Sequence, residues 1–141
     1  MENVDFASLV ETRVILEEQI AFFAAERRTE KDVEDIRKAL EAHIEKVIEG
    51  EEAVEEDMMF HLAIANASKN SVLKSLMLII IPSIINDFPT LDFYKESNVY
   101  RAIEEHKRIL EHIINEKPKL SAEAMRAHLQ DLLDYSISLR G

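Results

Sequence analysis

The sequence predicts an all-α fold, an antiparallel bundle of about six to seven helices. Three observations carry that expectation. Only two glycines and three prolines occur in 141 residues, so few positions break the chain. Long stretches are rich in Ala, Leu, Glu, Lys and Arg, the residues that lose least on entering a helix. Apolar residues recur at helical spacing, and no βαβ pattern or glycine-rich phosphate loop interrupts them.

A first helix is expected from about Phe6 to Glu26, with Leu9, Leu16, Ile20, Phe23 and Ala24 as its apolar stripe. Thr29 with Asp32 resembles a capping box, although the later position usually holds Glu or Gln. The helix they open carries Val33, Ile36, Leu40, Ile44, Val47 and Ile48, and Gly50 is its natural stop. A third helix covers about Ala53 to Ala67. Asn70 or Ser71 caps a fourth, which runs to Phe88 and should kink or end a turn at Pro82. The stretch from Pro89 to Ser97 reads equally as a loop or a short helix. A further helix spans about Asn98 to Glu116 and ends before Pro118. The last is capped by Ser121 and runs almost to the C-terminus. The connections are short, no linker or repeat divides the chain, and residues 1–141 read as a single domain.

Hydrophobic residues make up 47% and charged residues 32%, the balance of a globular protein rather than a disordered one. Seventeen basic against 28 acidic residues leave a formal net charge of −11. Such a surface repels phosphate backbones, so this segment alone is not expected to grip DNA. The absence of cysteine excludes a disulfide framework and Cys-ligated zinc, and accords with a cytoplasmic protein. Residues 1–7 lack the layout of a signal peptide. The most apolar stretch, Leu76 to Ile85, falls well short of the roughly 20 residues that span a bilayer.

The chemistry concentrates in the histidines. Asp57 and His61 lie one turn apart on the same helix face, within a segment apolar nearly all round. A carboxylate and an imidazole buried there cost free energy unless they are paired or hold a metal. His106, between Ile103 and Leu110, and His128, between Met125 and Leu132, also fall on apolar stripes and should point inward. Two readings compete. Either these four residues form a metal site in the bundle core, or Asp57 and His61 make an i, i+4 salt bridge and the other two are satisfied core histidines. Imidazole and carboxylate ligands suit zinc, nickel, copper, iron or manganese alike. His112, one turn from Arg108 and Glu116, belongs to a polar face. His43 is ambiguous, core or pocket-lining. A hydrolytic enzyme would need a general base beside the metal, and Glu56 and Glu105 are expected to point away from it.

The chain resembles the FadR C-terminal-like (FCD) ligand-binding domain of GntR-type transcription regulators. The resemblance rests on Arg13-Val14-Ile15-Leu16-Glu17 with Phe22-Phe23-Ala24-Ala25, then Asp57-Met58-Met59-Phe60-His61 and Asn66-Ala67-Ser68-Lys69-Asn70. Glu105-His106-Lys107-Arg108-Ile109-Leu110 and Met125-Arg126-Ala127-His128-Leu129 complete it, in order along nearly the whole chain. It implies that Asp57, His61, His106 and His128 hold one divalent transition metal, zinc or nickel first among the candidates. It implies a small carboxylate effector in the adjoining cavity and a homodimer that reaches DNA only through an N-terminal winged helix-turn-helix domain, absent from this chain. Arg13 matches the family's first-helix arginine and either reaches that cavity or makes a surface salt bridge with Glu17. Asn66 and Arg101 are further effector-binding candidates. One departure is that residues 115–119 lack the Gly-Asp often seen between the last two helices, which should affect the turn and not the ligands.

Overall fold

The structure is a computed structural model that describes residues 5–87 and 90–140. Phe88 and Pro89, where the expected end of the fourth helix meets the ambiguous stretch, lie outside the described residues. Among the described residues there are seven helices and no strand: α1 (Phe6–Arg27), α2 (Glu30–Ile48), α3 (Val54–Ala67), α4 (Ser71–Asp87), α5 (Thr90–Glu96), α6 (Val99–Ile114) and α7 (Pro118–Ser138). The ambiguous stretch contains the short helix α5.

Local chemistry sets most of the ends. Thr29 Oγ1 accepts the Asp32 N–H at 3.1 Å while Asp32 Oδ2 accepts the Thr29 N–H at 2.9 Å, so Asp32 completes a capping box despite being one methylene shorter than Glu. Asn98 caps α6 by accepting from the N–H groups of Tyr100 and Arg101. Gly50 takes φ 74°, a left-handed stop after α2. Two expectations need correction. Ser121 does not cap the last helix. Pro118 occupies its first turn, where a missing N–H costs nothing, and the Ser121 hydroxyl bonds back to the Lys117 carbonyl at 2.8 Å. Nor does Pro82 end a turn: α4 runs on through it, on the exposed face that also carries Leu78. Pro82 offers no N–H to the Leu78 carbonyl one turn before it.

Cross-helix pairs fix the packing. Glu18 meets Arg126 and Asp5 meets Arg140, so α1 and α7 run antiparallel along their length. Glu105 with His128 and Arg101 with Asp131 set the same relation for α6 and α7. Glu17 with His61 and Arg27 with the Ser68 carbonyl make α1 and α3 parallel. α1 and α6, each antiparallel to α7, are parallel to one another as well, so the bundle mixes antiparallel neighbours with the parallel pairs α1/α3 and α1/α6. Its core runs through Val10, Ile20 and Ala24 of α1, Ile36 of α2, Phe60 and Ile64 of α3, Ile109 and Ile113 of α6 and Met125 of α7, all fully buried. On α1 the buried face is rotated from the expected stripe: Leu9, Leu16 and Phe23 are only half-buried, and Arg13 and Glu17 lie inside. Ile48, assigned to the core stripe of α2, is 72% exposed.

The missing Gly-Asp leaves its mark on the turn after α6. Glu116 takes φ 56°, a left-handed conformation that favours glycine, and places a negative charge at a helix C-terminus. Its contact with Arg28 at 3.3 Å is exposed on the Glu side and contributes little. Glu116→Gly is therefore expected to stabilise the chain by about 0.5–1 kcal/mol in urea unfolding. A loss of stability in that variant would contradict this account of the turn.

Candidate metal centre

α3 carries Asp57 and His61 one turn apart, and both face inward because Phe60 and Ile64 on the same helix must be buried. His106 sits on the buried stripe of α6 between Ile103 and Leu110, and His128 sits at the α7 edge of the core with its side chain 9% exposed. Phe60 holds the His106 ring from below, stacked at 4.0 Å between centroids and 12° between planes. That gives the aromatic residue of the Asp-x-x-Phe-His element a physical role.

The four side chains converge. One potential ligand atom from each of Asp57, His61, His106 and His128 lies within 4.8 Å of the other three. Asp57 Oδ1 is 3.0 Å from His106 Nε2 and 3.4 Å from His61 Nε2, and His106 Nε2 is 3.0 Å from His128 Nε2. Bonds of about 2.0–2.2 Å from a central cation separate neighbouring ligands by about 3.0–3.4 Å, so these spacings fit a shared ion. Asp57 Oδ1 and His61 Nε2 are buried and make no hydrogen bond. Orphaned polar atoms of this kind are rare in a folded core and need an explanation.

Each imidazole is held by its other nitrogen. His61 Nδ1 meets Glu17 Oε1 at 2.5 Å, His128 Nδ1 meets Glu105 Oε1 at 2.9 Å, and His106 Nδ1 meets His43 Nδ1 at 3.2 Å. A carboxylate only accepts, so Nδ1 of His61 and His128 donates, and Nε2 of each faces the cluster. Glu105 was expected to point away from the site. It pairs with His128 Nδ1, the ring nitrogen opposite the one that faces the cluster. Glu56 is half-buried and touches none of the four residues in any contact described.

Charge is balanced through a buried relay. Arg13 Nε donates to Glu17 Oε2 at 2.5 Å, with both side chains 1% exposed, so of the two readings of Arg13 the surface salt bridge is corrected to a core ion pair. Only Nε is engaged; Arg13 Nη1 and Nη2 are buried without a hydrogen-bond partner. Burial alone would raise the Glu17 carboxyl, but His61 and Arg13 outweigh it and bring it down to about 2. Burial would lower His61, but Glu17 and Asp57 lift it to about 9. His106 goes the other way: burial dominates the pull of Asp57 and leaves it at about 3. Asp57 lies well below the usual carboxylate range, because the adjacent His106 and His61 imidazoles overcome its burial. The Tyr94 hydroxyl of α5 donates to Asp57 Oδ2 beside Arg13.

The other candidates separate. Arg13 and Arg101 line a pocket of about 40 Å³ against Asp57, Tyr94 and His128, and Arg101 pairs with Asp131 at its rim. Asn66 does not reach it. It is exposed beyond the His61 turn, and Lys74 donates to it at 3.0 Å. His112 is half-buried outside the cluster, and His43 belongs to the site as the orienting partner of His106. Glu17 and Tyr94 were missed in the sequence. Glu17 had a signal: Val10, Arg13, Glu17, Ile20 and Ala24 follow the 3-4 spacing of a buried stripe. Tyr94 had none.

A family model described as the FCD domain matches residues 8–131. The chain is 36% identical over 138 residues to the HTH-type transcriptional regulator LutR of Bacillus subtilis (strain 168), spanning 95% of this chain and 63% of that protein. It is 32% identical over 138 residues to the Uxu operon transcriptional regulator of Escherichia coli (strain K12), spanning 91% and 54%. A solved structure, Streptococcus agalactiae GntR, superposes with a TM-score of 0.79 at 25% identity, over 92% of this chain and 58% of that one. The chain thus spans less than two thirds of the length of each of these relatives. No helix among the described residues is long and apolar enough to cross a membrane.

The opposed shifts of His61 and His106 set the pH dependence of the metal-free chain. His61 is raised from 6.5, so its stabilisation is complete below pH 6.5 and is lost as pH rises through about 9. His106 is lowered from 6.5, so its contribution is complete above pH 6.5 and is lost as pH falls toward about 3. Chelator-treated protein should therefore be most stable near pH 6.5 in thermal melts, declining on both sides. A profile flat from pH 5 to 9 would show that the two imidazoles are not coupled as described.

Proposed function

The chain belongs to the FCD domain family, and from that premise we propose that it is the ligand-sensing and dimerisation domain of a bacterial GntR-type transcription regulator. In this reading Asp57, His61, His106 and His128 hold one divalent transition metal, zinc or nickel first among the candidates, and a small carboxylate is the effector. The observation that carries it is the convergence of three imidazole Nε2 atoms and the orphaned Asp57 oxygen, each imidazole oriented from behind by Glu17, His43 or Glu105.

The metal, when bound, would supply positive charge and coordination positions for an anionic oxygen. The protein's own residues do the rest. Glu17 and Glu105 hold His61 and His128 in the tautomer that exposes Nε2, and Phe60 keeps the His106 ring in place. Arg13, tethered through Nε, offers two unpaired terminal nitrogens to a carboxylate, a pairing guanidinium makes well. The names of the relatives favour regulation over catalysis.

Regulation follows if the effector binds one arrangement of the dimer better than another. The exposed face of α4 supports a second copy as partner: Val72, Leu76 and Ile79 recur there at i, i+4 and i+7, 67%, 38% and 66% exposed. DNA contact would come from a separate N-terminal domain, in the cytoplasm, since a net charge of −11 suits this domain poorly to nucleic acid.

His61→Ala or His106→Ala should lower zinc occupancy at least tenfold, measured by elemental analysis after dialysis against equal metal, whereas His112→Ala should keep it. Occupancy of the unaltered chain should fall as pH is lowered from about 9 to 5, because imidazole ligands must be neutral and His61 holds its proton up to about 9. Equal loss in all three variants, or occupancy unchanged at pH 5, would contradict a site built on three histidines.

A further inference from the structure

The pocket beside Arg13 is small. At about 40 Å³ it has room for about two or three waters and not for a carboxylate of several carbons. Beyond Tyr94 lies a second cavity of about 430 Å³, the size of an ordinary small-molecule site. Its walls are mostly apolar, with Val47, Val54, Val99 and Tyr100 among them, and His43 looks into it from the metal-centre side. Tyr94 belongs to the walls of both spaces. It stands on the seven-residue helix α5 and is half-buried, whereas Arg13 and Asp57 are locked in the long helices of the core. Its hydroxyl occupies Asp57 Oδ2 beside the unpaired nitrogens of Arg13.

We propose that Tyr94 is a movable partition and that the two spaces form one chamber for a monocarboxylate with an apolar body. The carboxylate meets Arg13 Nη1 and Nη2, and the apolar body fills the larger cavity between α2, α3 and α6. Arg13 supplies a built anion partner, since it is almost wholly buried and two of its nitrogens lack any hydrogen bond. The larger cavity supplies the preference for an apolar body, because filling it removes that surface from water. When Tyr94 swings aside, Asp57 keeps His61 and His106 as partners, so the carboxylate is not left alone. The inference rests on the carboxylate-sensor reading and narrows its ligand class.

Calorimetry on zinc-treated protein, with acetate and 3-phenylpropionate as probes, tests it. The aryl acid should bind about tenfold or more tightly than acetate. Val99→Trp, which fills the larger cavity away from the four clustered residues, should bring the two within about twofold. Tyr94→Phe, which removes the bond to Asp57, should tighten the aryl acid about threefold or more, because opening no longer breaks that bond. Equal binding of the two acids, a preference that survives Val99→Trp, or weaker binding in Tyr94→Phe would overturn the proposal. Zinc content measured on the same samples separates the failures. A chain that takes up no zinc yet prefers the aryl acid keeps the chamber and refutes the metal reading. A zinc-bound chain with no preference refutes the chamber alone.

Discussion

A carboxylate in the middle of a helical bundle dictates much of what surrounds it. Asp57 is 4% exposed, and an isolated charge at that depth would cost several kcal/mol. Partners come from three elements: His61 one turn on in α3, His106 from α6 and the Tyr94 hydroxyl from α5. His61 in turn requires Glu17, and Glu17 requires Arg13, so two charged residues of α1 are drawn into the core. The chain of dependence ends at Arg13 Nη1 and Nη2, which have no hydrogen-bond partner among the described residues. A buried polar network with loose ends at both extremities, Asp57 Oδ1 with His61 Nε2 and the Arg13 nitrogens, is costly as a purely structural device. It is intelligible as a receptor, with a cation finishing one end and an anion the other.

The fold was legible because helix signals in this sequence are local. Periodic Leu, Ile and Val, the Thr29–Asp32 box and Gly50 all act within one or two turns. His61, His106 and His128 were legible for a related reason: each interrupts an apolar stripe, and a stripe predicts direction. The same logic fell short on α1, where the apolar stripe was drawn through Leu9, Leu16 and Phe23 and a surface Arg13–Glu17 pair was one of two readings left open. Val10, Arg13, Glu17, Ile20 and Ala24 form the buried line, and the half-buried Leu9, Leu16 and Phe23 flank it. Charged residues can occupy a core stripe when they neutralise one another, and that pairing is tertiary information for Glu17 and His61, which lie 44 positions apart.

Other misses share that origin. Asn66 shares α3 with the site but lies more than a turn past His61 and faces solvent, so proximity in sequence misled. Tyr94 sits in a seven-residue helix with too few turns to show a periodicity, and its bond to Asp57 spans 37 positions. Ser121 has the chemistry of a cap but falls a turn inside the helix, because Pro118 is already suited to the first turn.

The convergence of Asp57, His61, His106 and His128 is the central claim, and metal content tests it most directly. Tag-free protein purified without added metal or chelator should carry about one divalent ion per chain by elemental analysis. Protein that holds none, and takes up none when zinc or nickel is added, would contradict the metal-centred reading. The four side chains would then be a buried ion network that serves the core alone.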